Sequence, residues 1–201
     1  TPPEELSLGW AKSALRSNSE STRELAVLLL GSESSGASME ALRTAMTDKS
    51  VAVRKSAVAA LSDRGGKDAL QALQAGLTDA DREVRVASAQ AIGRVSSSMI
   101  RRGEPDAAKP AVEKVSKLLQ SSDERERMAA SGALVRMGDR SQVTAVRSGM
   151  QSADATVRRQ IIEDGEVEDD SLQKALEDSD GKVRLAAAKK LAQKGNKLAI
   201  P

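Results

Sequence analysis

The sequence predicts an all-α chain built as a stack of six helix pairs, and three observations carry that expectation. An arginine followed by small residues at helical intervals keeps returning, in DKSVAVRKSAVAALS from Asp48, DADREVRVASAQAIG from Asp79 and DSDGKVRLAAAKKLA from Asp178. Apolar residues precede each copy with the period of an amphipathic helix. The chain has no Phe, Tyr, His or Cys and only one Trp, so its core must come from Leu, Val, Ile, Met and much Ala. That list suits closely packed helices better than a β-sandwich.

The recurrent arginines are Arg23, Arg54, Arg85, Arg127, Arg158 and Arg184, at spacings of 31, 31, 42, 31 and 26. Eight positions before each stand Leu15, Met46, Leu77, Leu119, Met150 and Leu176. Twelve before stand Ala11, Leu42, Leu73, Val115, Val146 and Leu172. Fifteen before stand Leu8, Met39, Leu70, Val112, Val143 and the exception Asp169. Such a stripe predicts one amphipathic helix ahead of each arginine.

A second helix starts just before the arginine. Four positions upstream lie Ser19, Ser50, Asp81, Asp123, Asp154 and Asp180, every one a residue whose side chain can accept from an unpaired N–H of the first turn. Asp123 with Glu126 reads as a capping box. Three positions downstream, Ala26, Ala57, Ser88, Ala130, Ile161 and Ala187 are mostly small, where two axes must approach. Neither helix can bury its apolar face alone, whereas stacked copies cover one another. Six positions before the arginines stand Ser17, Asp48, Asp79, Ser121, Ser152 and Asp178. A ladder of Arg to Asp or Ser contacts along one edge is the expectation.

An Asp and an Arg six residues apart, followed by Ala-Leu-Gly near the helix end, mark the short HEAT repeats of the phycobilisome-lyase type. Asp79, Arg85 and AIG from Ala91 to Gly93 resemble that pattern best, and the resemblance runs from about Leu15 to Ala192. Three copies carry Ser in place of the Asp, and the Pro usual in the first helix is absent. The resemblance implies a right-handed α-α superhelix, a HEAT-like solenoid forming a single domain over residues 1–201. It further implies that first helices line the convex side and second helices the concave one. The groove residues read on that basis are Arg43, Thr44, Thr47, Gln71, Gln74, Lys117, Gln120, Arg147, Gln151 and Lys174.

Two intervals break the period. The long one holds an insertion over 96–110, SSSMIRRGEPDAAKP, read as a helix running on through Arg102 until Gly103 and Pro105 stop it. The other reading is a loop offering Met99, Ile100, Arg101 and Arg102 to a partner. The short interval holds EDGEVEDD from Glu163 to Asp170, six carboxylates in eight residues. Without a regular calcium-loop pattern it reads as a solvated turn feeding a helix N-terminus. Trp10 is read as a cover over the end of the core.

Composition excludes much chemistry. Without Cys and His there are no disulfides, usual zinc sites or imidazole- and thiolate-dependent catalysis. GSESSG from Gly31 to Gly36 lacks the Lys of a phosphate loop, and SDGK from Ser179 to Lys182 falls on a capping turn without the motifs of acylating enzymes. Di-iron hydroxylases of this repeat class need His, and a glycosylase would need aromatics and a basic groove. No catalytic residue, cofactor or metal is expected. With 31 basic and 29 acidic residues the charge is nearly balanced, which speaks against nucleic acid. No apolar run is long enough for a membrane span.

The main reading is a non-catalytic scaffold that binds another protein or peptide and is itself a monomer. Two others stand beside it: an accessory or lyase-type subunit for a bilin-carrying protein, and nucleic-acid binding through the basic residues Lys182, Arg184, Lys189, Lys190, Lys194 and Lys197. The chain begins TPPEE without an initiator Met, as it would after loss of a signal segment or trimming. A soluble chain is expected, cytoplasmic or extracytoplasmic.

Overall fold

The computed structural model of the protein describes residues 3–165 and 167–195, with side chains from residue 8 onward. Glu166, Lys197 and the TPPEE start named above lie partly or wholly outside the described residues. Among those described, every regular element is helical. Backbone contacts divide the chain into two compact units, Thr1–Val115 and Ser116–Pro201, each described here by itself.

The first unit holds α1 (Pro3–Ala14), α2 (Glu20–Ser32), α3 (Gly36–Ala45), α4 (Val51–Arg64), α5 (Gly66–Ala75), α6 (Arg82–Arg101) and most of α7 (Pro105–Lys117). From α1 to α6 each helix packs on the next, and α2, α4 and α6 also pack on one another. The predicted stripe is the core: Leu42 and Leu73 are buried, as are Met39, Leu70, Met46 and Leu77. Opposite them lie Val27, Leu30, Val53, Leu61, Val84 and Ile92 from the second helices. Each such side chain contributes about 1.5–3 kcal/mol relative to exposure.

The second unit contains α8 (Glu124–Arg136), α9 (Val143–Gly149), α10 (Ala155–Asp164), α11 (Asp169–Ala175) and α12 (Gly181–Gln193). Again the second helices, α8, α10 and α12, stack on one another. Their core joins Val146, Val157, Ile161, Ile162, Leu172, Val183 and Leu191. Within each unit the described helices thus form paired, repeating layers, an all-α solenoid fold.

All six predicted caps act as such. Ser19 accepts from the Thr22 N–H, Ser50 from Ala52 and Val53, Asp81 from Glu83 and Val84. Asp123 accepts from Arg125 and Glu126, Asp154 from Thr156, and Asp180 from Lys182 and Val183. The Asp123 N–H in turn donates to Ser121 Oγ at 3.1 Å.

The 96–110 insertion lengthens helices. α6 has 20 residues against 14 in α4, and α7 has 13 against 10 in α5. Gly103, at φ +86, turns the chain where an L side chain would be strained, and Pro105 opens α7 at the position where a missing N–H costs nothing.

Two close approaches fix the first helices against their partners. A Cβ on Gly76 would lie 2.0 Å from Ser88 Oγ, and one on Gly149 would lie 2.1 Å from Ile161 Cδ1. Both glycines stand nine positions before an anchor arginine, where three other copies carry the alanines Ala14, Ala45 and Ala175. Glycine appears where the facing residue is larger than alanine.

Candidate interaction surfaces

The recurrent arginines sit at the start of each second helix and reach two turns at once. Nη1 donates to the backbone carbonyl six positions upstream: Arg23 to Ser17 at 2.9 Å, Arg54 to Asp48 at 2.8 Å, Arg85 to Asp79 at 2.7 Å. Arg127 does so with Ser121 at 2.8 Å, Arg158 with Ser152 and Arg184 with Asp178 at 2.7 Å. In three copies the rest of the guanidinium grips a carboxylate of the following repeat. Arg23 Nε and Nη2 donate to Asp48 at 2.7 and 3.0 Å, Arg54 to Asp79 at 2.8 Å each, and Arg158 to Asp178 at 2.8 Å each.

Each of these aspartates also accepts from the N–H of the next capping residue, Ser50, Asp81 or Asp180. Burial pushes the Asp48 and Asp79 carboxyls up, but the bonds from Arg23 or Arg54 and from the backbone outweigh it and hold both below the ordinary range. For Asp178 the Arg158 bonds dominate, against a smaller effect of burial, with the same result. The carboxylates are therefore spent on cohesion between layers.

The residues read as groove-lining fall on first helices: Arg43 and Thr44 on α3, Gln71 and Gln74 on α5, Lys117 on α7, Arg147 on α9 and Lys174 on α11. In the first unit α2, α4 and α6 pack on one another more closely than α1, α3 and α5 do. The second-helix face of that unit presents Leu28, Lys55, Ala59, Asp63 and Arg94, all exposed.

Of the predicted insertion contacts, Met99 is 2% exposed and packs inward, which removes it from any contact surface. Ile100 is half-buried, while Arg101 and Arg102 are exposed, with Arg101 donating to Ser97 Oγ at 2.6 Å. On the first-helix side, a cleft of about 420 Å³ opens between α1 and α3, lined by Lys12, Leu15, Arg16, Glu40 and Thr44.

The acidic stretch does not converge on a cation. Glu163 pairs with Arg159, Asp164 with Arg136, Glu168 with Arg147, and Asp169 with Lys194. Among the described residues no cluster of metal-ligating side chains occurs. Lys190 and Lys194 donate to the carbonyls of Glu163 and Val167, so two of the basic C-terminal residues hold the preceding turn.

Sequence reasoning missed two features. Arg64 donates to the carbonyls of Glu33 and Ser35 and to Ser38 Oγ at 2.6–2.7 Å, tying α4 to the α2–α3 turn. Lys194, at the same tenth place after its own anchor, donates likewise to the Val167 carbonyl, but the other copies carry no cation there and so leave no periodic trace. The other lies in the run LAVLLLG from Leu25 to Gly31, where helical spacing sends Ala26, Val27 and Leu30 inward while Leu25, Leu28 and Leu29 point out. Trp10 is 47% exposed, with the rest of its surface turned away from solvent.

The family model for HEAT repeats matches residues 9–93 and 76–164. No curated protein matches the sequence. Among solved structures, the complex of CpcE and CpcF of phycocyanin lyase from Nostoc sp. PCC7120 is similar at 18% identity, covering 93% of this chain and 87% of that one, with a TM-score of 0.53. YibA from E. coli is similar at 15% identity over 98% of this chain and 77% of that one, TM-score 0.55. An engineered protein is similar at 20% identity over 92% of this chain and 97% of that one, TM-score 0.50. No described helix is long and apolar enough to cross a membrane.

Proposed function

Because the chain belongs to the HEAT-repeat family, we propose that it is a non-catalytic module, one domain over residues 1–201, that holds another protein or peptide on the helix faces its stacking leaves open. One observation carries this reading. Positions that repeat from layer to layer, such as Leu28 and Ala59, stay uncovered on the tighter side of the first unit, while the titratable groups of the turns are consumed by structural bonds. A face of repeated positions recognises an extended partner by complementarity.

A second reading is favoured by the similarity to the CpcE–CpcF complex of phycocyanin lyase, which extends over 93% of the chain. On it, the partner is a bilin-carrying protein and this chain its accessory subunit. A photo-cross-linking residue placed at Gln90 on α6, at Gln71 on α5 or at Arg101 tests both. Adducts concentrated at Gln90 support the second-helix face, and a bilin absorbance travelling with the adduct supports the second reading. Absence of protein adducts at all three positions overturns the binding role.

A further inference from the structure

We propose that a second copy of this chain is itself a partner, docking head to tail so that α12 of one molecule lies against α1 and α2 of the next. In the first unit the second helices meet through fixed positions. A Cβ on Gly31, eight places after its anchor, would touch Ala60 Cβ, six places after the next anchor, at 3.0 Å. The side facing the preceding helix thus carries the sixth place, where Ala60 and Ala91 are buried.

In α2 that place is Leu29, and it is exposed. Leu25, two places after its anchor, is 49% exposed although Ala129 and Gln160 are buried at the same place. Trp10 stands where α3 and α5 bury Ala41 and Ala72. Large apolar groups therefore occupy positions that the fold covers elsewhere.

α12 shows the reciprocal face. Leu185 is 54% exposed where α6 buries Val86. Arg184 donates through Nη1 to the carbonyls of Asp178 and Ser179, and among the described residues it grips no carboxylate of the kind held by Arg23, Arg54 and Arg158. Charge decides for a second copy over an unrelated apolar partner: Lys182, Arg184 and Lys189 are exposed on α12, and α2 brings Glu20 and Glu24. Leucine in place of the internal alanine holds this junction wider than a layer within the chain, so the association is reversible. A heterologous contact of this kind leaves a face open on each end of a pair, so copies add with concentration into a ring or an open chain.

Sedimentation velocity tests it. The weight-average mass of the wild-type chain should rise with concentration and fall with added salt. Leu25→Asp/Leu29→Asp and Leu185→Asp, each checked for native helicity and melting, should be monomeric alone, and their equimolar mixture should stop at dimers. A wild-type monomer at every concentration overturns the proposal. So does a mixture that stays monomeric, or dimers of the Leu185→Asp variant alone, which would signify symmetric pairing of α2 faces.

Discussion

Arg54 donates through Nε and Nη2 to both oxygens of Asp79, at 2.8 Å each, across twenty-five positions of sequence. Both side chains are about nine-tenths buried, with exposures of 12% and 10%. Truncating either alone strands the other charge in a partly dry turn. Asp79→Ala or Arg54→Met should cost about 2–3 kcal/mol, read from denaturant midpoints. Arg54→Met/Asp79→Leu should cost clearly less than the sum of the two single changes. Arg184→Met, which removes no carboxylate contact of this kind, should cost about 1 kcal/mol or less.

Acid should weaken the same junctions. The folded-state carboxyls of Asp48, Asp79 and Asp178 are held below their ordinary value. Groups depressed in this way stabilise the fold above the unfolded value of about 3.9 and lose that contribution as pH falls through the folded value. Thermal midpoints should be flat with respect to these groups above about pH 5 and decline below about pH 4. The chain carrying Asp48→Asn, Asp79→Asn and Asp178→Asn should start lower and show a shallower decline.

Gly149→Ala should cost about 1–3 kcal/mol, because the new methyl meets Ile161 Cδ1 at 2.1 Å and Met128 Sδ at 2.9 Å. Ile161→Ala itself removes a buried side chain, but in that background Gly149→Ala should cost clearly less than it does alone, since the pair then matches Ala45 with Ala57. At the equivalent contact, Ser88 Oγ is buried without a hydrogen-bond partner. Ser88→Ala alone should therefore be neutral or stabilising, and it should soften the penalty of Gly76→Ala. Calorimetric midpoints of the four single and two double variants check this.

Arg101→Glu/Arg102→Glu alters two exposed side chains at the end of α6 and should leave the melting temperature within about 2 °C of wild type. Any loss of partner recovery by this variant then reports recognition rather than unfolding. Full recovery by it would move attention to the second-helix face.

Periodic features were legible because each is written six times. The caps from Ser19 to Asp180, the small residues from Ala26 to Ala187 and the buried stripe through Leu42 and Leu73 all follow from spacing alone. Which face meets a partner was not legible, because residues such as Arg43, Gln71 and Lys117 are polar on any exposed face, and how closely neighbouring helices approach is a property of packing. Met99 misled for a related reason: in an insertion its period has no register to be counted against, and only the continued α6 shows that it faces the core. The outward Leu25, Leu28 and Leu29 belong to a single layer, where repetition gives no help, and the Arg64 position carries a cation again only at Lys194.

The twenty-five-position reach of Arg23 to Asp48 recurs unchanged from Arg54 to Asp79. Excising the thirty-one codons that encode Asp48 through Thr78 would set Asp79 at that same distance from Arg23, regenerating a native junction across the splice. Removing twenty codons instead would leave the guanidinium facing a misplaced turn. Genes of this architecture can thus grow or shrink in whole-repeat steps, and the Arg158 to Asp178 pair, made across twenty positions, marks a shortened repeat whose junction survived.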